Sequence, residues 1–209
     1  MWLSIVIIAI AGYLLGNLNG AVSMSVLLAN EDVRTKGSGN AGLTNFIRNF
    51  GSANAILVVL IDAGKAVVAC MVGGLMLQPY GYYLEGVVLG GLATMLGHTY
   101  PALLGFKGGK GILSGLFIAI VADWRIALIV VVVFFGLYFL THYVSLGSVM
   151  AAIAFGVGFI VFHHDNLWVM LGGVLMSALA TFMHRGNIVR LCTGTERKTD
   201  LFKKKAAEE

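Results

Sequence analysis

The chain has 209 residues, of which 58% are apolar and only 11% charged, with a mean hydropathy of +0.89. An average soluble domain carries about 25% charged residues, so this composition excludes a soluble surface and defines an integral membrane protein. The formal net charge of +4 reads as loop lysines and arginines obeying the positive-inside rule, not as a nucleic-acid partner.

Residues 1–209 are expected to form one polytopic membrane domain, because no polar stretch exceeds about twenty-five residues. Met1 to Asn30 carries no charge, has no basic leader and is longer than a signal-peptide core, so it reads as a retained first span. The expected class is an all-α integral membrane protein with about seven transmembrane helices, some of them short. The first runs Leu3 to Leu28. The second runs Ser52 to Leu77 and contains Asp62 and Lys65. Tyr82 to Leu104, Gly111 to Ala122 and Arg125 to Thr141 follow, then Leu146 to Phe162 and Leu167 to Met183. Gly111 to Ala122 is too short to cross a ~30 Å hydrocarbon core by itself. Gly12, Gly16 and Gly20, and again Gly86 and Gly90, form small-residue ridges suited to close helix packing. Cys70 and Cys192 have neither disulfide nor metal-ligand spacing.

Basic residues set the orientation. Arg34, Lys36 and Arg48 follow the first span, Lys107 and Lys110 the third, and Arg185, Arg190, Arg197, Lys198 and Lys203 to Lys205 the last. The alternate connections carry only Arg125. The N-terminus is therefore expected outside and the C-terminus in the cytoplasm, with the Lys203–Lys205 tail on anionic head groups. This puts three segments on one face, about 30–51, 97–111 and 184–198, together with His98, His142 and His184.

The first segment contains Gly37-x-Gly39-x-x-Gly42. It has no preceding strand, and Asp62 falls inside a span, so a dinucleotide site is excluded. The glycines still allow backbone N–H groups to converge on an anion. Ser38, Asn40, Thr44 and Asn45 add neutral donors, and Arg48 can grip a phosphate. In the second, Gly111 rather than Ser or Thr follows Lys110, so it is not an NTPase loop. Lys107 and Lys110 flank Gly108 and Gly109 just before a helix, which is an anion site. In the third, His184, Arg185, Asn187, Arg190 and Glu196 share a short amphipathic piece. Asp62 and Lys65, three residues apart, can neutralise each other or serve the site.

Together the three segments resemble the bacterial membrane acyltransferases that move a fatty acyl group from acyl phosphate to glycerol 3-phosphate. That family carries GSGNxGxTNxxR, matched from Gly37 to Arg48. Its GHxxP and FKGGKG loop is matched at Gly97, His98, Pro101 and Phe106 to Gly111. Its HRxNIxRLxxGxE is matched from His184 to Glu196. Departures are Ala41 where Pro is common, Leu103 where an aromatic is common, and Ile112-Leu113-Ser114 where a small residue and then Thr are usual.

The resemblance implies transfer to the sn-1 hydroxyl, giving 1-acyl-glycerol 3-phosphate and phosphate, the first step of phosphatidic acid synthesis. It implies no metal or other cofactor and a bacterial inner-membrane location with the active site on the cytoplasmic side; a monomer is only the working expectation. Lipid and the two small substrates would be the partners. No histidine has Asp five residues on, unlike the His-x4-Asp acyltransferases that use soluble donors.

The expected catalytic residues are His184 as base, Asn187 orienting either that base or the substrate, Arg48, and Ser38 as a phosphate donor or, as an alternative, an acylated nucleophile. A substrate phosphate oxygen is the rival base. Phosphate binding falls to Gly37, Gly39, Asn40, Thr44, Asn45, Lys65, His98, Lys107, Gly108, Gly109, Lys110 and Arg185, with Asp62 and Glu196 in support. The rival readings are a transporter of a phosphorylated solute, a structural membrane subunit, and a CoA-dependent acyltransferase.

Overall fold

A computed structural model describes residues 1–199; the Lys203–Lys205 tail lies outside the described residues. The helices are α1 (Trp2–Gly16), α2 (Gly20–Ala29), α3 (Leu43–Phe50), α4 (Ala55–Leu77), α5 (Tyr83–Thr99), α6 (Ile112–Ala122), α7 (Trp124–Thr141), α8 (Val144–Phe162), α9 (Leu167–Met183) and α10 (Arg185–Cys192). Each of the seven expected spans is helical. The segments Trp2–Ala29, Ala55–Tyr80, Tyr83–Leu104, Trp124–Thr141 and Val144–Phe162 are long and apolar enough to cross a membrane. A sixth crossing results if α9 and α10, bent by 56° at His184, count as one. α6 has 11 residues, too few to span a bilayer by length alone, yet it carries the chain from Gly111 at the glycine-loop end to Asp123 at the opposite end of the bundle.

Two elements differ from expectation. The first span is broken: α1 stops at Gly16 and α2 starts at Gly20. The segment read as a loop after it contains α3, whose Phe46 is buried beneath the loop with Val33, Ala41 and Val58.

α4 and α5 pack along each other, and α1 lies on both; α7, α8 and α9 follow in sequence, with α6 wedged beside α4, α5 and α7. Lipid tails are as apolar as leucine, so helix association in a bilayer rests on close packing instead of hydrophobic burial. The glycine ridges supply it. A Cβ at Gly73 would sit 2.1 Å from the Gly86 carbonyl oxygen, and one at Gly97 2.1 Å from that of Tyr13. The inner core contains Met95, Ile118, Ile126, Phe155, Phe159 and Met176. At the end opposite the glycine loops, Asp123 caps α7 and meets His163 Nε2 at 3.1 Å.

Gly73→Ala is expected to force α4 and α5 apart and destabilise the bundle by about 1–3 kcal/mol. Gly136→Ala, where no atom lies within 4 Å, is expected to be neutral or stabilising by up to about 1 kcal/mol. Thermal unfolding in one detergent checks the pair.

Candidate active site

The first loop is organised by one side chain. Asn45, on the first turn of α3, donates through Nδ2 to the carbonyls of Val33, Lys36 and Asn40 at 2.9–3.1 Å. Its Oδ1 accepts from the Ser38 amide at 3.0 Å. Gly37 and Gly39 have φ of 58° and 70°, the left-handed region that favours glycine. Asn45 thus shapes the loop, leaving Ser38, Gly39, Asn40 and Thr44 to face the cavity. Gly42 precedes α3 and makes no side-chain cap.

The second loop folds back on α5. The Gly108 and Gly109 amides donate to the carbonyls of Thr99 and His98 at 3.2 and 3.0 Å. A Cβ at Gly109 would sit 2.2 Å from His98 Nε2 and 2.8 Å from the Ala41 carbonyl, so both loops and α5 meet there. Gly111, with φ of 80°, precedes α6, again without a side-chain cap. Two helix N-termini with unpaired N–H groups therefore border one cavity.

The third segment closes the site. Lys110 Nζ donates to Asn187 Oδ1. Asn187 Nδ2 donates to Glu196 Oε1 at 3.0 Å, and Arg190 Nε to Glu196 Oε2 at 2.7 Å. Arg48 donates to Thr199 Oγ1, and the Thr199 amide donates to the His142 carbonyl at 3.1 Å. Thr199 thereby ties α3 to the α7–α8 turn.

These segments enclose a cavity of about 870 Å³. Its polar end holds Ser38, Arg48, Lys110, His184, Arg185 and Asn187; its apolar limb runs along Leu116, Val130, Phe134, Val144 and Ala151.

Most of the expected site residues line this cavity; three do not. Lys65 is buried, with its ammonium 2.8 Å from Asp62 Oδ1 and 2.8 Å from His98 Nδ1, and it also donates to the Gly16 and Leu18 carbonyls. Its donors are spent inside the protein, not aimed at a ligand. Lys107 is exposed and lies outside the cavity lining, and its carbonyl accepts from Arg34 at 3.1 Å. Gly109 is a packing position. Asp62 and His98 reach the cavity wall.

Arg190, Arg197, Ser145 and Ser148 also line the cavity. The serines lie on α8 within an apolar run, and nothing in their spacing sets them apart. Arg34 braces the two loops, pairing with Asp32 at 2.7 Å and donating to the Leu104 carbonyl at 2.6 Å.

Burial, reinforced by the charges of Arg190 and Arg48, pushes the Lys110 ammonium down to about 8. Burial, with Lys110 nearby, pushes His184 down to about 4, so its imidazole is neutral at pH 7. His184 Nδ1 donates to the Ala180 carbonyl at 2.8 Å, which leaves Nε2 as the acceptor. Burial opposes the Glu196 charge, but the hydrogen bonds from Arg190 and Asn187 hold its carboxyl below the usual value.

Fold and site together define a polytopic helical membrane protein with a cationic, amide-rich cavity at one end of its bundle. Comparison with known proteins makes the class specific. The sequence model of the glycerol-3-phosphate acyltransferase family matches residues 6–194, and the chain belongs to that family. The glycerol-3-phosphate acyltransferase of Finegoldia magna is 34% identical over 197 residues, covering 94% of this chain and 97% of that one. That of Clostridioides difficile is 35% identical over 202 residues, covering 93% and 95%. The fold matches crystal structures of PlsY (YgiH), an integral membrane glycerol 3-phosphate acyltransferase. Its glycerol 3-phosphate form gives a TM-score of 0.85 at 31% identity, covering 96% of this chain and 100% of that one. Its lysophosphatidic acid form gives 0.81 at 31% identity, covering 95% and 96%.

Because the free-enzyme Lys110 titrates near 8, it is cationic below that pH and loses its attraction for a phosphate above it. The expected result is that kcat/KM for glycerol 3-phosphate falls by up to about tenfold per pH unit above pH 8, and that Lys110→Arg removes this fall. Lys107→Ala is expected to leave KM nearly unchanged. A pH profile of the three enzymes checks both.

Proposed function

We propose that this protein transfers a fatty acyl group from acyl phosphate to the sn-1 hydroxyl of glycerol 3-phosphate, releasing 1-acyl-glycerol 3-phosphate and phosphate. The observation that carries the reading is the junction inside one cavity. Two uncapped helix N-termini and the cations Arg48, Lys110 and Arg185 stand at one end, and an apolar limb leads away between α6, α7 and α8. Such a shape suits two phosphates, one of which carries an alkyl tail. The family's shared name and the two ligand forms of PlsY support the acceptor and the product class.

Acyl phosphate is a mixed anhydride, already activated, so the protein's task is to hold two anions together. Unit charges at ~4 Å repel by about 4 kcal/mol at an effective dielectric of ~20. The cations offset this repulsion, and the backbone N–H groups stabilise the tetrahedral oxyanion and the leaving phosphate. Arg48 is held by the neutral Thr199 hydroxyl, which an anionic phosphate displaces readily because charge-assisted hydrogen bonds are stronger.

His184 Nε2 takes the proton of the attacking hydroxyl. Its pKa near 4 in the free protein rises when two phosphates bind beside it, since nearby anions favour the imidazolium. Asn187, held by Glu196, orients the acceptor. Ser38 acts as a phosphate donor. The cavity faces the cytoplasm of a bacterial inner membrane, because Arg34, Arg48, Lys110 and Arg190 all gather at its end of the bundle.

Product analysis of purified protein with glycerol 3-phosphate checks the reaction: acyl phosphate is expected to yield 1-acyl-glycerol 3-phosphate with matching phosphate release, and acyl-CoA none. Product from acyl-CoA alone would overturn the donor. His184→Ala is expected to lower kcat by about 10²–10⁴-fold with little change in KM. Unchanged turnover would transfer the base role to a substrate phosphate oxygen.

A further inference from the structure

The polar end of the bundle contains groups that no substrate has to touch. Between α1 and α2 lie Asn17, Leu18 and Asn19. The two asparagines are 4% and 1% exposed. Asn19 divides its amide between two tasks. Its Oδ1 accepts from the Val22 N–H at 3.0 Å and caps α2, while its Nδ2 donates to the Ala41 carbonyl at 3.0 Å, inside the first loop. Asn17 Oδ1 accepts from the Leu103 N–H at 3.0 Å, inside the second loop. One turn earlier the Tyr13 hydroxyl donates to the Tyr100 carbonyl at 2.8 Å and accepts from the Ala102 N–H at 3.2 Å. A continuous helix through residues 17–19 would satisfy its own backbone; this break instead sends side-chain amides to both loops.

We infer that Asn17 and Asn19 are positioning residues: the break in the first span fixes the spacing between the two phosphate loops, and with it the distance between acceptor hydroxyl and acyl carbon. The inference rests on the proposed function of those loops. Reaction between two bound substrates depends steeply on their geometry, and a misplacement of about 1 Å costs about 10²-fold in rate. Neither asparagine lines the cavity, so their effect passes through Ala41 and Leu103.

Asn19→Ser separates the two tasks of Asn19. Serine retains a helix-capping oxygen for Val22 but has no amide to reach Ala41. Asn17→Ala removes the Leu103 contact without adding charge. Both full-length variants are compared with wild type in steady-state kinetics, thermal unfolding and amide hydrogen exchange. The expected kcat falls about ten- to hundredfold, with KM for each substrate within about threefold and a thermal midpoint lowered by only a few degrees, as the loss of one buried hydrogen bond requires. Exchange is expected to quicken in residues 37–45 for Asn19→Ser and in residues 101–108 for Asn17→Ala, with residues 20–29 as protected as in wild type.

Wild-type kcat in both variants would overturn the inference. So would a loss of activity that tracks a midpoint lowered by much more than a few degrees, or exchange that quickens throughout α2, since either marks a merely structural role. If wild type makes no acyl-glycerol phosphate, the functional reading fails separately, and the exchange pattern still decides whether the break holds the loops.

Discussion

A carboxylate and an ammonium one turn apart on α4, Asp62 and Lys65, meet at 2.8 Å with side chains 2% and 1% exposed. In the interior of a membrane bundle such charges persist only when paired and hydrogen-bonded. Here they repair a backbone defect. The end of α1 leaves carbonyls without intrahelical partners, and the start of α2 leaves N–H groups in the same state. Lys65 donates to the Gly16 and Leu18 carbonyls, and Asp62 accepts from the Gly20 amide at 3.2 Å. Each charge also sits at the helix end whose dipole favours it, the ammonium at the C-terminus of α1 and the carboxylate at the N-terminus of α2. The pair thereby makes a broken span tolerable where an unsatisfied backbone group costs several kcal/mol.

The rest of the polar end is built outward from that repair. Lys65 also meets His98, whose ring packs against Gly109, and Gly109 in turn abuts the carbonyl of Ala41. A chain of contacts thus runs from the break through α5 to both glycine loops. From the opposite side the Lys110–Asn187–Glu196–Arg190 series closes the wall. The side chains that line the cavity come from segments more than a hundred residues apart, yet the helices behind them are locked by glycine contacts.

The spans are legible in the sequence because charge is nearly absent from them, and the three loops because glycines, amides and cations occur together there. Gly12, Gly16, Gly86 and Gly90 are read correctly as packing positions, since each faces a backbone or small side chain of another helix. α3 is less legible: Leu43, Phe46, Ile47 and Phe50 follow helical spacing after Gly42, but the helix has only 8 residues and adjoins the glycine-rich loop. The break at Asn17–Asn19 is hidden because no proline or charge marks it. Spacing alone cannot separate Lys107 from Lys110 or place Lys65, for the choice depends on the third dimension. Lys110 meets Asn187, Lys107 is exposed to solvent, and Lys65 is buried against carbonyls.

The most direct measurement is a double-mutant cycle on the unfolding free energy of Lys65→Met, Asp62→Asn and the double variant in a single detergent. Each single change is expected to cost about 3–5 kcal/mol, because it strands a buried charge. The double variant is expected to cost less than their sum by about 1 kcal/mol or more. Strictly additive losses, or single changes that leave stability at the wild-type level, would contradict the claim that this pair holds the broken span and the loops built on it.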